Sequence, residues 1–125
     1  MLLHEEWLVI ARQDLKSIKK NLADDDDTLH AAAYQAQQAA EKSLKAFLAF
    51  HNSSIPKTHD LEHIVKCCKN IDFSFVQLEQ YAERLSIYST STRYPDHRIE
   101  VTRPDALLAQ KMALFIFEFV TARMP

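Results

Sequence analysis

Residues 31–52 constrain the fold of this chain more than any other stretch of its sequence. They include neither Gly nor Pro and are rich in Ala, Leu, Gln, Glu and Lys, which have high helix propensity. One face of such a helix carries large side chains such as Leu44 and Phe47, and another carries small ones such as Ala36 and Ala39. At a length of about 33 Å and with two faces to bury, this helix is expected at the centre of a bundle.

The absence of Gly from all 125 residues narrows the fold class further. Tight hairpins, Gly-rich phosphate loops and dinucleotide-binding fingerprints all need Gly, so none of them is expected. With 47% hydrophobic residues, the chain is long and apolar enough for one globular core. We predict a single all-α domain over residues 1–125.

Apolar residues recur at helical spacing in four further segments. The predicted helices cover about residues 3–22, 31–52, 59–69, 73–88 and 103–123. Thr58 is the expected N-cap of the third helix. Thr102 and Asp105 have the spacing of a capping box at the start of the fifth. The pattern predicts an up-and-down four-helix bundle with an additional short helix.

The last predicted helix is apolar on nearly every side, and its large residues include Leu107, Leu108, Leu114 and Phe115. A helix that is apolar all round is normally buried all round. A bundle of this size is too small to cover it completely. We expect part of helix five to form a two-fold homodimer interface.

The charge and cysteine content exclude some functions. A net charge of −2 predicts no general attraction to nucleic acid, so binding to phosphate would need a local basic patch. Cys67 and Cys68 are adjacent, which suits neither a disulfide framework nor metal ligation. Neither a signal peptide nor an apolar stretch of membrane-spanning length is visible, so we expect a cytoplasmic protein without membrane contact.

His59 and His63 have the spacing of two ligands on one helical face, but the glutamate of a zinc-binding motif is missing. A capping or surface role is the default for both, and neither a metal nor a cofactor is expected. Asp14 lies at the edge of the apolar stripe of helix one. Its carboxylate is expected to pair with a nearby Lys or Arg, the alternative being a polar group directed into a functional cleft.

The predicted loop before helix five concentrates reactive groups. Arg93 can hold a phosphate through a pair of hydrogen bonds, and Tyr94 offers a ring on which a base can stack. His97 can act as an acid or a base near neutral pH, and Asp96 can orient it. A structural alternative stays open, in which Arg93 pairs with Asp96 or Glu100 and Tyr94 packs beneath the loop.

Three motifs together resemble those of the HEPN domain family (higher eukaryotes and prokaryotes nucleotide-binding). They are Trp7 with Asp14 and Leu15 in helix one, the run QQAAEKSLKA at 37–46 followed by THDL at 58–61, and RYPD at 93–96. The resemblance extends over nearly the whole chain. It implies a bundle of four main helices plus a short one, usually paired into a dimer, with a cleft near the dimer axis that takes nucleotide or RNA.

The resemblance also has implications for catalysis and partners. Many members are metal-independent ribonucleases, and some are toxins encoded beside a small nucleotidyltransferase. Those nucleases resemble one another in an Arg followed, after four to six residues, by a His near the start of the last helix. The nearest pair here is Arg93 and His97, with three residues between them. In that role His97 would act as base on a ribose hydroxyl, and Arg93 would stabilise charge on the phosphorus.

We hypothesise a cytoplasmic dimer that binds nucleotide or RNA, with RNA cleavage by Arg93 and His97 as a further hypothesis. The candidate binding residues are Arg93, Tyr94, Asp96, Lys42, Lys45 and His59. The two lysines fall on the predicted solvent-exposed edge of helix two. A nucleotidyltransferase-type protein is a candidate partner. The alternative function is a non-catalytic helical protein-interaction module that binds no nucleotide.

Overall fold

The computed structural model describes residues 1–23, 26–89 and 99–125. Within these ranges the chain forms five α-helices and two short 3₁₀ segments, and it contains no strand. The helices are α1 (Leu3–Ala23), α2 (Leu29–Phe50), α3 (Leu61–Ile71), α4 (Glu79–Ser86) and α5 (Arg103–Thr121), with 3₁₀ turns at Asp26–Thr28 and Phe73–Leu78. The predicted all-helical bundle is confirmed. The helix predicted over about residues 73–88 is instead the 3₁₀ segment Phe73–Leu78 followed by α4, which at 8 residues is shorter than the 11-residue α3.

The central helix of the bundle is α2, which contacts each of the other four α-helices. Its large residues Leu44 and Phe47 and its small residues Ala36 and Ala39 are all buried, which confirms the prediction of two buried faces. The rings of His4 and Phe50 meet edge to face with their centroids 5.0 Å apart. Since these residues lie at the start of α1 and the end of α2, the two helices run antiparallel.

The start of α3 differs from the sequence prediction. Asp60, rather than Thr58, caps this helix, because its carboxylate accepts hydrogen bonds from the backbone N–H groups of Glu62 and His63. The Thr58 hydroxyl instead accepts a bond from the backbone N–H of Asp60. As a result, the chain before Leu61 stays outside the helix and can reach across to α2.

The capping box predicted for α5 is confirmed, with Thr102 and Asp105 exchanging hydrogen bonds between side chain and backbone. The inner face of α5 packs against α2, and Ala109, Ala113 and Ile116 are fully buried there. Four large apolar residues on its outer side remain 41–47% exposed, namely Leu107, Leu108, Leu114 and Phe115. None of the helices in the described ranges is long and apolar enough to cross a membrane.

Candidate functional site

A buried glutamate, Glu41, collects polar contacts on one side of α2, and its side chain is 0% exposed. Its Oε2 atom accepts hydrogen bonds from Lys42 Nζ at 3.1 Å and from Lys45 Nζ at 3.0 Å. Its Oε1 atom lies 2.9 Å from His59 Nδ1. A longer bond of 3.4 Å joins Oε1 to Gln37 Nε2. We call these five residues the Glu41 cluster.

The cluster combines helical spacing with one contact from a distant part of the chain. Gln37, Glu41 and Lys45 follow one another at intervals of four residues on α2, so they share a face. His59 comes from the segment in front of α3. Its backbone oxygen accepts a 3.0 Å hydrogen bond from Gln37 Nε2, which fixes that segment against α2.

The negative charge of Glu41 is stabilised inside the fold. Burial by itself would raise the pKa of this carboxyl group. Hydrogen bonds from His59 and Lys45, together with the charge and hydrogen bond of Lys42, outweigh burial and hold the pKa of Glu41 below its ordinary value. Glu41 is therefore a fixed negative charge beneath two ammonium groups at neutral pH.

The indole ring of Trp7, from α1, lies beside the two lysines of the cluster. Lys42 Nζ is 5.8 Å and Lys45 Nζ is 5.7 Å from the ring centroid, within the range of cation–π attraction. The Trp7 Nε1 atom is buried and has no hydrogen-bond partner among the described residues.

Asp14, also from α1, is a second polar group here without a hydrogen-bond partner. Its Oδ2 atom is buried and unpaired within the described ranges, so the ion pair expected from the sequence is not seen. Burial raises the pKa of Asp14 to about 6, while the charge of Lys42 lowers it and the charge of Glu41 raises it. Asp14 consequently loses its charge on mild acidification.

Replacing Asp14 with Asn is expected to stabilise the protein at about pH 8 and not at about pH 4. The raised pKa means that ionisation of Asp14 opposes folding, and the penalty develops as the pH rises from the ordinary value of 3.8 to about 6 and is complete above that. For a partly solvated group we expect about 1 kcal/mol. Urea denaturation at both pH values measures the difference, and an equal shift of the two midpoints would contradict this account.

The prediction that Lys42 and Lys45 lie on a solvent-exposed edge is wrong. Lys45 is only 6% exposed, and the side chain of Lys42 is 18% exposed. The physical reason is that α1 brings Trp7 against these side chains while both ammonium groups turn towards Glu41. Lys42 is the lysine of the cluster that can meet a ligand, and Lys45 mainly neutralises Glu41.

His59 is the exposed member of the Glu41 cluster, with 63% of its side chain accessible. It precedes α3, so it does not share a helical face with His63, although the spacing of the two residues indicates a shared face. His63 Nε2 instead lies 3.9 Å from Cys67 Sγ within α3. In the part of the chain that the structure describes, no three His, Cys, Asp or Glu side chains are arranged to hold a metal ion.

The four loop candidates, Arg93, Tyr94, Asp96 and His97, lie outside the described residues. The described chain resumes at Ile99, whose backbone oxygen is 2.7 Å from His30 Nε2. His30 precedes Glu41 on α2 by eleven residues, which is about three helical turns. The two residues therefore lie on the same face of α2, and the contact of Ile99 is on the face that carries the Glu41 cluster.

Glu41 is not among the site residues predicted from the sequence. The signal that could have found it is a Glu four residues before a Lys in a helix predicted to be buried on two faces. That pattern is common on exposed helices, so it does not by itself indicate burial. The contact with His59 depends on how the chain passes between α2 and α3, which the sequence pattern does not specify.

Comparisons with known proteins agree with the observed architecture. The model of the HEPN domain family matches residues 4–123. The crystal structure of an archaeal HEPN homologue is similar, with a TM-score of 0.80 and 24% sequence identity over 100% of both chains. At this level of identity the structural likeness shows the fold alone. No curated protein matches the chain.

Proposed function

The chain belongs to the HEPN domain family, and on that premise we propose that it binds nucleotide or RNA on the face of α2 that carries the Glu41 cluster. The observation that carries this proposal is the convergence of two lysines and a histidine on one buried carboxylate. Of these groups, Lys42 and His59 reach solvent. They are the residues that would meet a ligand.

The cluster has N–H donors to spare for a phosphate group. Each lysine ammonium has three N–H donors, and the Glu41 carboxylate accepts one from each. Above about pH 6 the two ammonium groups are balanced by the carboxylates of Glu41 and Asp14, and a surplus of positive charge develops as Asp14 becomes neutral below that pH. Protonation of Asp14 would thus supply the local basic patch that a chain with a net charge of −2 needs for binding phosphate.

The loop before α5 would complete the binding face. Ile99 contacts α2 at His30, on the same face as Glu41. Arg93 would hold a second phosphate, and Tyr94 would stack on a base. In the finer form of the proposal, RNA is cleaved with Arg93 and His97 as the reacting groups.

Titration of a fluorescently labelled single-stranded RNA and of ATP tests the proposal. Lys42→Ala is expected to weaken RNA binding about tenfold, roughly the 1.4 kcal/mol of a charged hydrogen bond to phosphate. It should also reduce, by about one, the slope of the logarithm of the binding constant against the logarithm of the salt concentration. Lys66→Ala, which removes an exposed lysine of α3, is the matched control and should bind like the wild type. Equal affinity of Lys42→Ala and wild type would refute binding at the cluster.

The exposed face of α5 favours a second role, as an interface. We extend the proposal to a homodimer in which two copies of α5 pair antiparallel, centred between Leu114 and Phe115. In that register the exposed Lys111 of one copy lies opposite the exposed Glu118 of the other, so the surface complements itself. A large exposed apolar surface is typical of a protein interface.

A nucleotidyltransferase-type partner and a purely non-catalytic interaction module are the alternatives that this surface favours. Both would use the apolar residues of α5 without requiring the Glu41 cluster to bind anything. Dimerisation together with no measurable binding of RNA or ATP would support the interaction module. Binding of RNA that depends on Lys42 would favour the nucleotide-binding function.

A further inference from the structure

Four basic residues of α1 share one side of the helix, and all four side chains are exposed, namely Arg12, Lys16, Lys19 and Lys20. Successive members are three or four residues apart, which is the spacing of neighbours on a helix surface. At a rise of 1.5 Å per residue they extend over about 12 Å of α1. We call these four residues the basic stripe.

The basic stripe is a local surplus of positive charge. Within the described ranges none of its four residues is in an ion pair. Between Arg12 and Lys20 the only acid in the sequence is Asp14, whose carboxylate interacts with the charge of Lys42 on α2. The acidic run at residues 24–27 follows in the sequence, so the stripe ends at Lys20. A chain with a net charge of −2 thus concentrates unpaired cations on one side of one helix.

The basic stripe and the Glu41 cluster lie on different sides of α1. Trp7 faces the two lysines of the cluster. Lys16 follows Trp7 by nine residues, which is about 2.5 helical turns, so its side chain leaves the helix in the opposite direction. Arg12 Cζ lies 5.5 Å from the ring centroid of Phe117 on α5. The stripe therefore faces solvent on the side of α1 next to α5.

The two surfaces offer different interactions to a ligand that carries phosphate. Above about pH 6 the ammonium groups of the cluster are balanced by Glu41 and Asp14, so the cluster offers N–H donors with little net charge. The basic stripe has no such counter-charge, so it attracts phosphate at neutral pH as well. A ligand that contacts both surfaces gains hydrogen bonds from one and electrostatic attraction from the other.

We propose that the basic stripe binds the phosphate backbone of an RNA strand that also reaches the Glu41 cluster. This inference rests on the proposed function and narrows its ligand, from nucleotide or RNA to an RNA strand. With its side chains α1 is about 10–12 Å wide. A stacked strand rises about 3.4 Å per nucleotide, so at least about four nucleotides are needed to contact both sides of α1. A single nucleotide bound at the cluster does not extend to the stripe.

The side chains around the basic stripe favour a nucleic-acid backbone over a membrane surface. The exposed large apolar residues of α1 end at Ile10, so the stripe itself has none to insert into a bilayer. Gln13 is exposed between the cations, and side-chain amides commonly bind the phosphate and sugar oxygens of nucleic acids.

The test compares the affinity of wild type and Lys16→Gln/Lys20→Gln for a fluorescently labelled single-stranded RNA, whose length of about 12 nucleotides is ample for both surfaces. Gln is a good helix former, and circular dichroism should show the variant folded. We expect about tenfold weaker binding of this RNA at neutral pH. The slope of the logarithm of the binding constant against the logarithm of the salt concentration should fall by about 1.4, which is about 0.7 for each phosphate contact. The affinity for ATP should change less than about twofold, because the cluster is intact.

The matched control is Lys66→Gln/Lys69→Gln, which removes two lysines of α3. It changes the net charge by the same amount as the stripe variant, and it should bind the RNA within about twofold of the wild type. If both double variants weaken binding equally, overall charge rather than the stripe governs affinity and the inference is wrong.

Other outcomes would assign the stripe to a different partner. A polyglutamate peptide that binds the wild type as tightly as the RNA does, and binds the stripe variant less tightly, would point to an acidic protein segment. Loss of binding to vesicles containing phosphatidylserine, with RNA affinity unchanged in Lys16→Gln/Lys20→Gln, would point to a membrane. Either result would overturn the inference.

The inference and the proposed function can fail separately. RNA binding that is weakened by Lys42→Ala and not by Lys16→Gln/Lys20→Gln would refute the inference and support the proposed function. RNA binding that is weakened by the stripe variant and not by Lys42→Ala would refute binding at the Glu41 cluster and support the stripe as the RNA site. Absence of RNA binding by the wild type would refute both.

Discussion

Replacing Glu41 with Ala is expected to lower the free energy of unfolding by about 3 kcal/mol. The substitution leaves Lys45, which is 6% exposed, with its ammonium group buried and without its carboxylate partner. It also removes the acceptor that fixes His59, and with it a link between α2 and the segment before α3. Urea denaturation should show a lower midpoint with an unchanged slope.

The matched control for Glu41→Ala is Glu83→Ala, which removes an exposed glutamate of α4 and should change stability by less than about 0.5 kcal/mol. The pH dependence provides a second check. Because the pKa of Glu41 is depressed in the folded state, its stabilisation is complete above the ordinary carboxyl range and is lost as the pH falls through the folded pKa. The free energies of unfolding of wild type and Glu41→Ala should therefore become more alike in acid. Equal stability of these two proteins at neutral pH would show that the ion pair does not stabilise the fold.

Leu114→Lys is expected to convert the proposed homodimer into a monomer. Leu114 is 44% exposed on α5, so the substitution should not disturb the core, but it would place two cations at the centre of the apolar interface. Light scattering after size-exclusion chromatography should give twice the 14.5 kDa chain mass for the wild type and a single chain mass for the variant. Ile71→Lys, at an exposed apolar residue of α3, should remain a dimer.

The antiparallel register of the interface has its own test. Lys111→Glu and Glu118→Lys should each weaken the dimer, because each places like charges opposite one another across the interface. The double variant should recover affinity, since the opposite charges are then exchanged between the copies. A wild-type monomer at micromolar concentration would refute the interface, and a double variant no stronger than either single one would refute the register.

The fold was largely predictable because the signals that define it are local. The Gly-free and Pro-free stretch that became α2, and the capping box of Thr102 and Asp105, require only neighbouring residues. The start of α3 was less predictable, since Thr58 and Asp60 are both good caps and the choice between them depends on the path of the chain. The partial exposure of α5 was predictable because the helix is apolar on nearly every side and a bundle of this size is too small to cover all of it.

The candidate site was less predictable because its central residue looks like a surface residue. Glu41 and Lys45 form a pair four residues apart, a pattern typical of solvent-exposed helices, yet α1 covers them with Trp7. On an exposed helix this pair would be a weak surface contact. Because it is buried, the Glu41 carboxylate is instead a fixed charge that holds Lys42 and His59 in place. Only the packing of α1 on α2 reveals this, and packing between helices is a property of the whole chain.

Binding of RNA at the Glu41 cluster can be followed in a ¹H–¹⁵N spectrum recorded during titration with single-stranded RNA. Trp7 is the only tryptophan in the chain, so it gives one indole N–H signal, and its ring lies within 6 Å of both lysines of the cluster. We expect this signal to move and to saturate with the Kd found by fluorescence, and to move less in Lys42→Ala. An indole signal that stays in place while RNA binds would show that the Glu41 cluster is not the binding site.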